Sequence, residues 1–396
     1  MFGQAINLFN APTPTTLHTK WIREHPQSPF VRYLTVGNGE VLILNSPAAF
    51  KELLQTHCYS FQKPGKWRHM TKPFAGKGIL ALEFDEHRAH RKMLNGAFTP
   101  ENIRGLGPVI ERKAMELGLF MGRTTIRDGN GEYGAIDCTN TFGKTMMDVI
   151  CVALFGTDPT NIRSPLSAGV MAGGKEYGFH DAYDTIFGMD TLGRLLIAFS
   201  YYGGHDTSAN ALSWSAYTMA TKPAIQDKLR HEILELSDRA SSASGFPAFA
   251  EIDALPYLHN FVREVLRVYP PAVFMPHQAA TDVTIQGIRI PRGTTIDMMP
   301  AMASMNQTIW GDDADEVRPE RWDCLTQEQA SPYAYEVFRN GPRVCIGKQF
   351  ALMEIKTFLF GLVRRCRFLG VEEKFTVENP SFVLRPKGMR VRFEKV

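Results

Sequence analysis

What the chain lacks narrows its class before any motif is read. Its 396 residues include only six cysteines (Cys58, Cys138, Cys151, Cys324, Cys345 and Cys366), with no CxxC pair and no framework spacing. That usage argues against a structural zinc or a disulfide scaffold and for a reducing compartment. No window reaches the roughly 18 consecutive apolar residues of a membrane span. The opening MFGQAINLFNAPTPTTLHTK is neither a signal peptide nor an anchor. As it stands the chain reads as soluble and cytoplasmic. A charge surplus is missing too: 44 basic against 41 acidic residues leave +3, which calls for neither nucleic acid nor an anionic surface as partner. Internal repeats and low-complexity tracts are absent. What remains is 44% hydrophobic content, enough for a large core in one domain or two.

The hydrophobic period places the elements. PFVRYLTVGNGEVLILNSP predicts a hairpin turning at Gly37-Asn38-Gly39. From about Glu86 the spacing becomes three and four, predicting helices over HRAHRKMLNGAF, ENIRGLGPVIERKAMELGLFM and TNTFGKTMMDVICVALFG. The second half adds helices over IAFSYYGGHDTSANALSWSAYTMA, KPAIQDKLRHEILELSD and LPYLHNFVREVLRVYPP, with SDRASSASGFPAFA as a loop. DVTIQGIRIPRGTTIDM reads as strands, and FVLRPKGMRVRFEKV as a hairpin around Pro386-Lys387-Gly388. The fold class is mainly α with a minor antiparallel β component.

Chemistry concentrates in a few places. Cys345 lies in FRNGPRVCIG, directly ahead of the helix-forming KQFALMEIKTFLFGLVRR. A thiolate at neutral pH needs positive potential, which Arg343 and the free N–H groups of a helix N-terminus can supply. Gly341 and Gly347 permit a tight turn and a close approach to a flat ligand, and Pro342 stiffens the loop. A lone cysteine, however, is most often an ordinary buried thiol. In GGHDTS, Gly203 and Gly204 interrupt a helical pattern at a cost of roughly 1 kcal/mol each, so they need a reason such as room for a ligand. Asp206 and Thr207 follow as an acid beside an alcohol. Glu264 and Arg267 share a helix face, a spacing usually found in exposed ion pairs.

Phe338, Gly341, Arg343, Cys345, Gly347, Phe350-Ala351 and Glu354 together resemble the haem-binding loop of the cytochrome P450 superfamily, from about Trp21 to the C-terminus. The resemblance implies the cytochrome P450 fold as a single domain over 1–396, with a β-rich lobe near 25–60 and a helical body over 80–370. It implies haem b (iron protoporphyrin IX) held by Cys345 as axial thiolate, with Phe338, Gly347 and Gly203 against the ring. Asp206 and Thr207 become a proton relay. Glu264, Arg267 and Arg321 of PERW become a buried structural network. His87 and Arg91 match a Trp-x-x-x-Arg pattern with His in place of Trp, His277 stands where an Arg is usual, and Arg343 joins them as partners of the haem propionates. Taken singly, His87 could be an exposed histidine and His277 a satisfied loop histidine.

The implied activity is a monooxygenase that places one oxygen atom in an apolar organic substrate, with electrons from NADPH through a flavoprotein reductase. Arg339, Arg343 and Lys348 would offer the reductase a basic docking face. Two other readings stay open: a haem-thiolate isomerase or dehydratase, and a non-catalytic haem binder. The eukaryotic, reductase-coupled branch is indicated, whose members lie on the cytoplasmic face of the endoplasmic reticulum; membrane association stays open, with no anchor in this chain. One stretch departs from the family. Only 47 residues separate Phe155 from Gly203, glycine-rich and short for the usual helices, so the lid region near 156–200 is expected to be contracted.

Overall fold

The structure is a computed structural model and describes residues 2–69, 78–129, 133–162, 170–172, 175–177, 205–240 and 246–396. Its main helices are α1 (Phe84–Asn95), α2 (Gly107–Gly129), α3 (Cys138–Phe155), α4 (Asp206–Thr221), α5 (Pro223–Arg239), α6 (Pro256–Val268) and α7 (Lys348–Val363). Proline at the first position starts α5 and α6, where its missing N–H costs nothing. Asp137 caps α3 by accepting from Asn140 N at 3.0 Å, and left-handed Gly156 ends it.

The strands of the two larger sheets are β1 (Phe30–Leu34), β2 (Glu40–Leu44), β3 (Phe61–Gln62), β4 (Tyr133–Asp137), β5 (Met275–Ala279), β6 (Thr295–Met298), β7 (Cys366–Val371) and β8 (Arg390–Lys395). The first sheet runs β1-β2-β6-β5-β3; only β6 against β2 is parallel. The hairpin expected at Gly37-Asn38-Gly39 is present, with both Gly37 and Asn38 at positive φ. The C-terminal hairpin is not. Residues on the two sides of Gly388 pair elsewhere: Pro386–Lys387 with Thr376–Val377, and β8 with both β7 and β4. Local alternation identified the strands but not their partners, because β4 arrives from more than 250 positions away and carries no signal of that pairing.

Two apolar clusters follow from this arrangement. The larger joins the long helices, with Ile110 and Met121 of α2, Phe142 and Met146 of α3, Leu212 of α4, and Phe358 and Leu362 of α7 all buried. Helix α7 is buried along its whole second half, as an all-round apolar sequence requires. The smaller cluster lies under the five-stranded sheet, with Ile43, Phe50, Ile296 and Met298 at its centre. Lys113, fully buried on α2, ties α2 to α3 through Asp148 (3.6 Å) and also meets Glu116 (3.0 Å) and Asp158 (2.6 Å).

The Glu264–Arg267 pair is not the surface salt bridge its spacing usually denotes. Both side chains are completely buried on α6. The Glu264 carboxylate accepts from Arg267 Nε and Nη2 (both 2.8 Å), Arg318 N (3.0 Å), Arg321 Nε (3.2 Å) and Trp322 Nε1 (2.9 Å). Arg267 donates its remaining hydrogens to the carbonyls of Ser304, Ala314 and Glu316, and Arg321 donates to those of Trp310 and Asp313. Replacing Arg267 with Ala would leave a buried carboxylate short of its counter-charge, so urea denaturation should show a loss of about 3–5 kcal/mol. A loss no larger than that from Arg32→Ala, which breaks the exposed Arg32–Glu40 pair, would contradict this account.

Candidate functional site

The cysteine loop is fixed from three sides. Cys345 N donates to Phe338 O at 2.8 Å, closing the loop on itself. Gly341, at φ +72, lies so close to the residue 52–56 helical turn that a Cβ there would sit 2.1 Å from Leu54 O. The close approach that needs glycine is thus to backbone. Arg91 of α1 donates Nη1–H to Val344 O at 2.5 Å, one residue before the cysteine, and its Nε to Asn95 Oδ1 at 3.1 Å.

Cys345 is exposed at the foot of α7, whose N-cap is Gly347. The loop packed against its inner side desolvates the thiol and raises its pKa; the Gly347 N–H and the charges of Arg91, Lys348 and Arg339 oppose this without winning. The sulfur is therefore a thiol until a metal displaces its proton. Arg343, expected to supply the potential, acts elsewhere. Its guanidinium pairs with Glu83 and donates to Leu82 O at 3.3 Å.

Glu83 is the hub of a pocket at the edge of the five-stranded sheet, lined among others by Lys63, Glu83, His277, Arg339 and Arg343. Lys63 donates its backbone N–H (2.8 Å) and Nζ (3.0 Å) to Glu83 Oε1. Burial and the neighbouring arginines hold Lys63 down to about 8, Glu83 opposing. His87 is buried next to this group, its Nδ1 3.4 Å from Tyr59 OH, and its pKa is lowered to about 4 by desolvation and then by Arg343 and Lys63. His277 of β5 also reaches the pocket. Its Nδ1 faces Met275 O at 2.8 Å and its Nε2 faces Arg339 Nη2 at 2.7 Å.

On the other side, α4 begins at Asp206. Asp206 is buried, with Oδ1 3.4 Å from His205 Nε2 and Oδ2 without a hydrogen-bond partner among the described residues; Thr207 beside it is half-buried. Ser208 donates Oγ–H to Glu354 Oε2 of α7 at 2.8 Å, tying the first turn of α4 to the helix that Cys345 precedes. Burial pushes Glu354 up to about 8, its single hydrogen bond from Ser208 opposing. Gly203 and Gly204 lie outside the described residues, as does most of the stretch over 156–200.

Sequence reasoning therefore brought Cys345, Arg343, Arg91, His87 and His277 to one region. It missed Lys63, Glu83 and the Ser208–Glu354 contact, which no local motif marks. The proposed docking trio is not a trio: Arg339 and Arg343 turn into the pocket, and only Lys348 is exposed.

The cytochrome P450 family model matches residues 7–171 and 191–393. The chain belongs to the cytochrome P450 family. Among its relatives are cytochrome P450 monooxygenase sphH of Aspergillus fumigatus, 27% identical over 89% of this chain and 78% of that protein, and cytochrome P450 monooxygenase 205 of Postia placenta, 25% identical over 98% and 87%. Cytochrome P450 3A9 of Rattus norvegicus is 26% identical over 85% and 78%. The family makes this protein a haem-dependent monooxygenase of fungal type. The alignment with sphH spans 432 positions, more than the chain has residues, so it is opened by gaps on this chain's side. The break in the family match, after residue 171, falls inside the region expected to be contracted. The residues present suit a haem: an exposed cysteine just ahead of a helix, in a loop whose Arg339 and Arg343 line, with Lys63, a pocket that holds one carboxylate, Glu83.

Glu354 supplies a pH test. Its folded value of about 8 lies above the ordinary 4.5, so the neutral carboxyl's contribution is fully present below about 4.5 and is lost as pH rises through 8. Wild-type stability should therefore fall relative to Glu354→Gln across that window, by at most ~1.4 kcal/mol per pH unit. A difference between the two proteins that stays constant from pH 5 to 7.5 in chemical denaturation would overturn this.

Proposed function

We propose that Cys345 would supply the sulfur that holds the iron of haem b and that the protein inserts one atom of O2 into an apolar organic substrate, using electrons from NADPH delivered by a separate flavoprotein reductase. The observation that carries the reading is the exposed Cys345 just ahead of α7, in a loop whose Arg339 and Arg343 line a pocket with more cations than carboxylates.

Haem, when bound, supplies the oxygen chemistry; the chain's own residues hold, orient and move protons. The Gly347 N–H and the cations Arg91, Lys348 and Arg339 offset the cost of an anionic sulfur once the proton has left. Arg91 fixes the loop through Val344 O while its charge, with that of Arg343 and the neutral donor His87, faces the haem carboxylates. Phe338 and Gly347 would hold the haem from the cysteine loop, and Gly203, by its place in the GGHDTS motif, would belong to the same cofactor site.

Asp206 and Thr207 transfer protons at the first turn of α4. The buried Asp206 Oδ2, which has no hydrogen-bond partner among the described residues, supports this, since such an oxygen is open to a donor from outside them. The chain forms one cytochrome P450 domain over 1–396, the reductase's acidic face meeting exposed Lys348. No helix among the described residues is long and apolar enough to cross a membrane. Exposed Phe2, Ile6 and Phe9 beside Leu34 and Val36 favour surface attachment at the cytoplasmic side of the endoplasmic reticulum.

Cys345→Ala should remove the thiolate-specific absorbance of the reduced carbon monoxide complex; a normal difference spectrum in that variant would sink the ligand assignment. Thr207→Ala should consume NADPH at a comparable rate while product per NADPH falls several-fold, and unchanged coupling would rule out its proton role.

A further inference from the structure

His277 stands where the family resemblance expects an arginine, and its surroundings leave it unable to do an arginine's work. Met275 O can only accept, so the 2.8 Å contact places the proton on Nδ1. The lone pair of Nε2 then accepts from Arg339 Nη2 at 2.7 Å. Both ring nitrogens are engaged, and burial together with the neighbouring Arg339 keeps the ring neutral. His277 has neither a charge nor an N–H left for a carboxylate.

Arg339 has both. It comes from the cysteine loop, six residues before Cys345, and takes a left-handed backbone at φ +59 that a side chain rarely adopts and that costs of order 1 kcal/mol. Its N–H bonds Glu336 O at 2.9 Å, which holds that turn. The guanidinium Nε is shielded from solvent and has no hydrogen-bond partner among the described residues. Lys63 and Arg343 share Glu83, whereas Arg339 makes no ion pair among the described residues. A half-buried cation with an unused donor, lining a pocket, is a site for an anion.

We propose that Arg339 is the cation that binds a haem propionate at this position, and that His277 is a positioning residue that holds the guanidinium by accepting from it. The cation expected on strand β5 has moved to the cysteine loop, and the strand keeps an acceptor in its place. This rests on the haem assignment above.

The test uses full-length protein loaded with haem, the haem counted as its pyridine complex and its release timed by transfer to excess apomyoglobin. Arg339→Gln should release haem about 10- to 100-fold faster, the effect of one lost charged hydrogen bond, with Arg339→Lys between it and wild type. His277→Ala should accelerate release by less. The exchange His277→Arg with Arg339→Asn should restore retention to within a few-fold of wild type, which keeps the proposal testable if Arg339→Gln alone does not fold. Wild-type release from Arg339→Gln, or faster release from His277→Ala than from Arg339→Gln, would overturn it. Failure of the wild type to take up one haem per chain would overturn the haem assignment instead, and is seen before any variant is compared.

Discussion

The carboxylate of Glu264 is the point from which the cysteine loop is held. Five donors converge on its two oxygens, from α6, from the chain at Arg318 and from the PERW turn. Through Trp322 this reaches the loop: the indole that donates to Glu264 packs edge-on against Tyr335 at 5.3 Å, and Arg263 lies 3.8 Å over the same indole. Tyr335 is three residues before Phe338, whose carbonyl holds the Cys345 amide. A position that must present a sulfur at fixed depth is thus tied to a network in which each charge is satisfied, and such a network resists small displacement because any shift leaves a buried ion unpaired.

Other buried acids in the chain show the opposite regime. Among the described residues Glu354 has one donor, Ser208, Asp297 accepts from Tyr33, and Glu336 accepts from Asn340; their values rise to about 8, about 6 and about 7. Desolvation leads in all three, as it must where a carboxylate has too few partners to replace its water. The contrast with Glu264 separates two uses of buried acid. One is a carboxylate that organises cations through five donors; the other is a group with few partners, whose hold on its proton burial strengthens.

Much of this was legible in the sequence where chemistry is local. The cysteine loop, the Glu264–Arg267 spacing, the PERW turn and the amphipathic α6 all lie within windows of a few residues. What was not legible depends on partners far apart in the chain. Glu83 gathers Lys63 and Arg343 across 20 and 260 positions, and Ser208 meets Glu354 across 146. Arg339 looked like a solvent-facing cation because its direction is set by a left-handed backbone that composition does not announce, and the C-terminal strands were assigned to each other because a turn signal says where a chain reverses, not what it pairs with.

The two sides of the candidate haem site are therefore built on unequal foundations. Everything on the sulfur side, from Leu54 through Glu83 and His277 to α7, comes from segments that the family match covers without interruption. The opposite side is reached from the stretch ahead of Asp206, where the family match is interrupted between residues 171 and 191. On the proposed reading haem retention draws on the first set and substrate turnover on both, since substrate must be enclosed before a proton at Asp206 or Thr207 has a use. The ion pairs of Glu83 and the donor set of Glu264 thus share no segment with residues 172–190, which the family match leaves out, so a change of length in that stretch replaces none of the residues that make them.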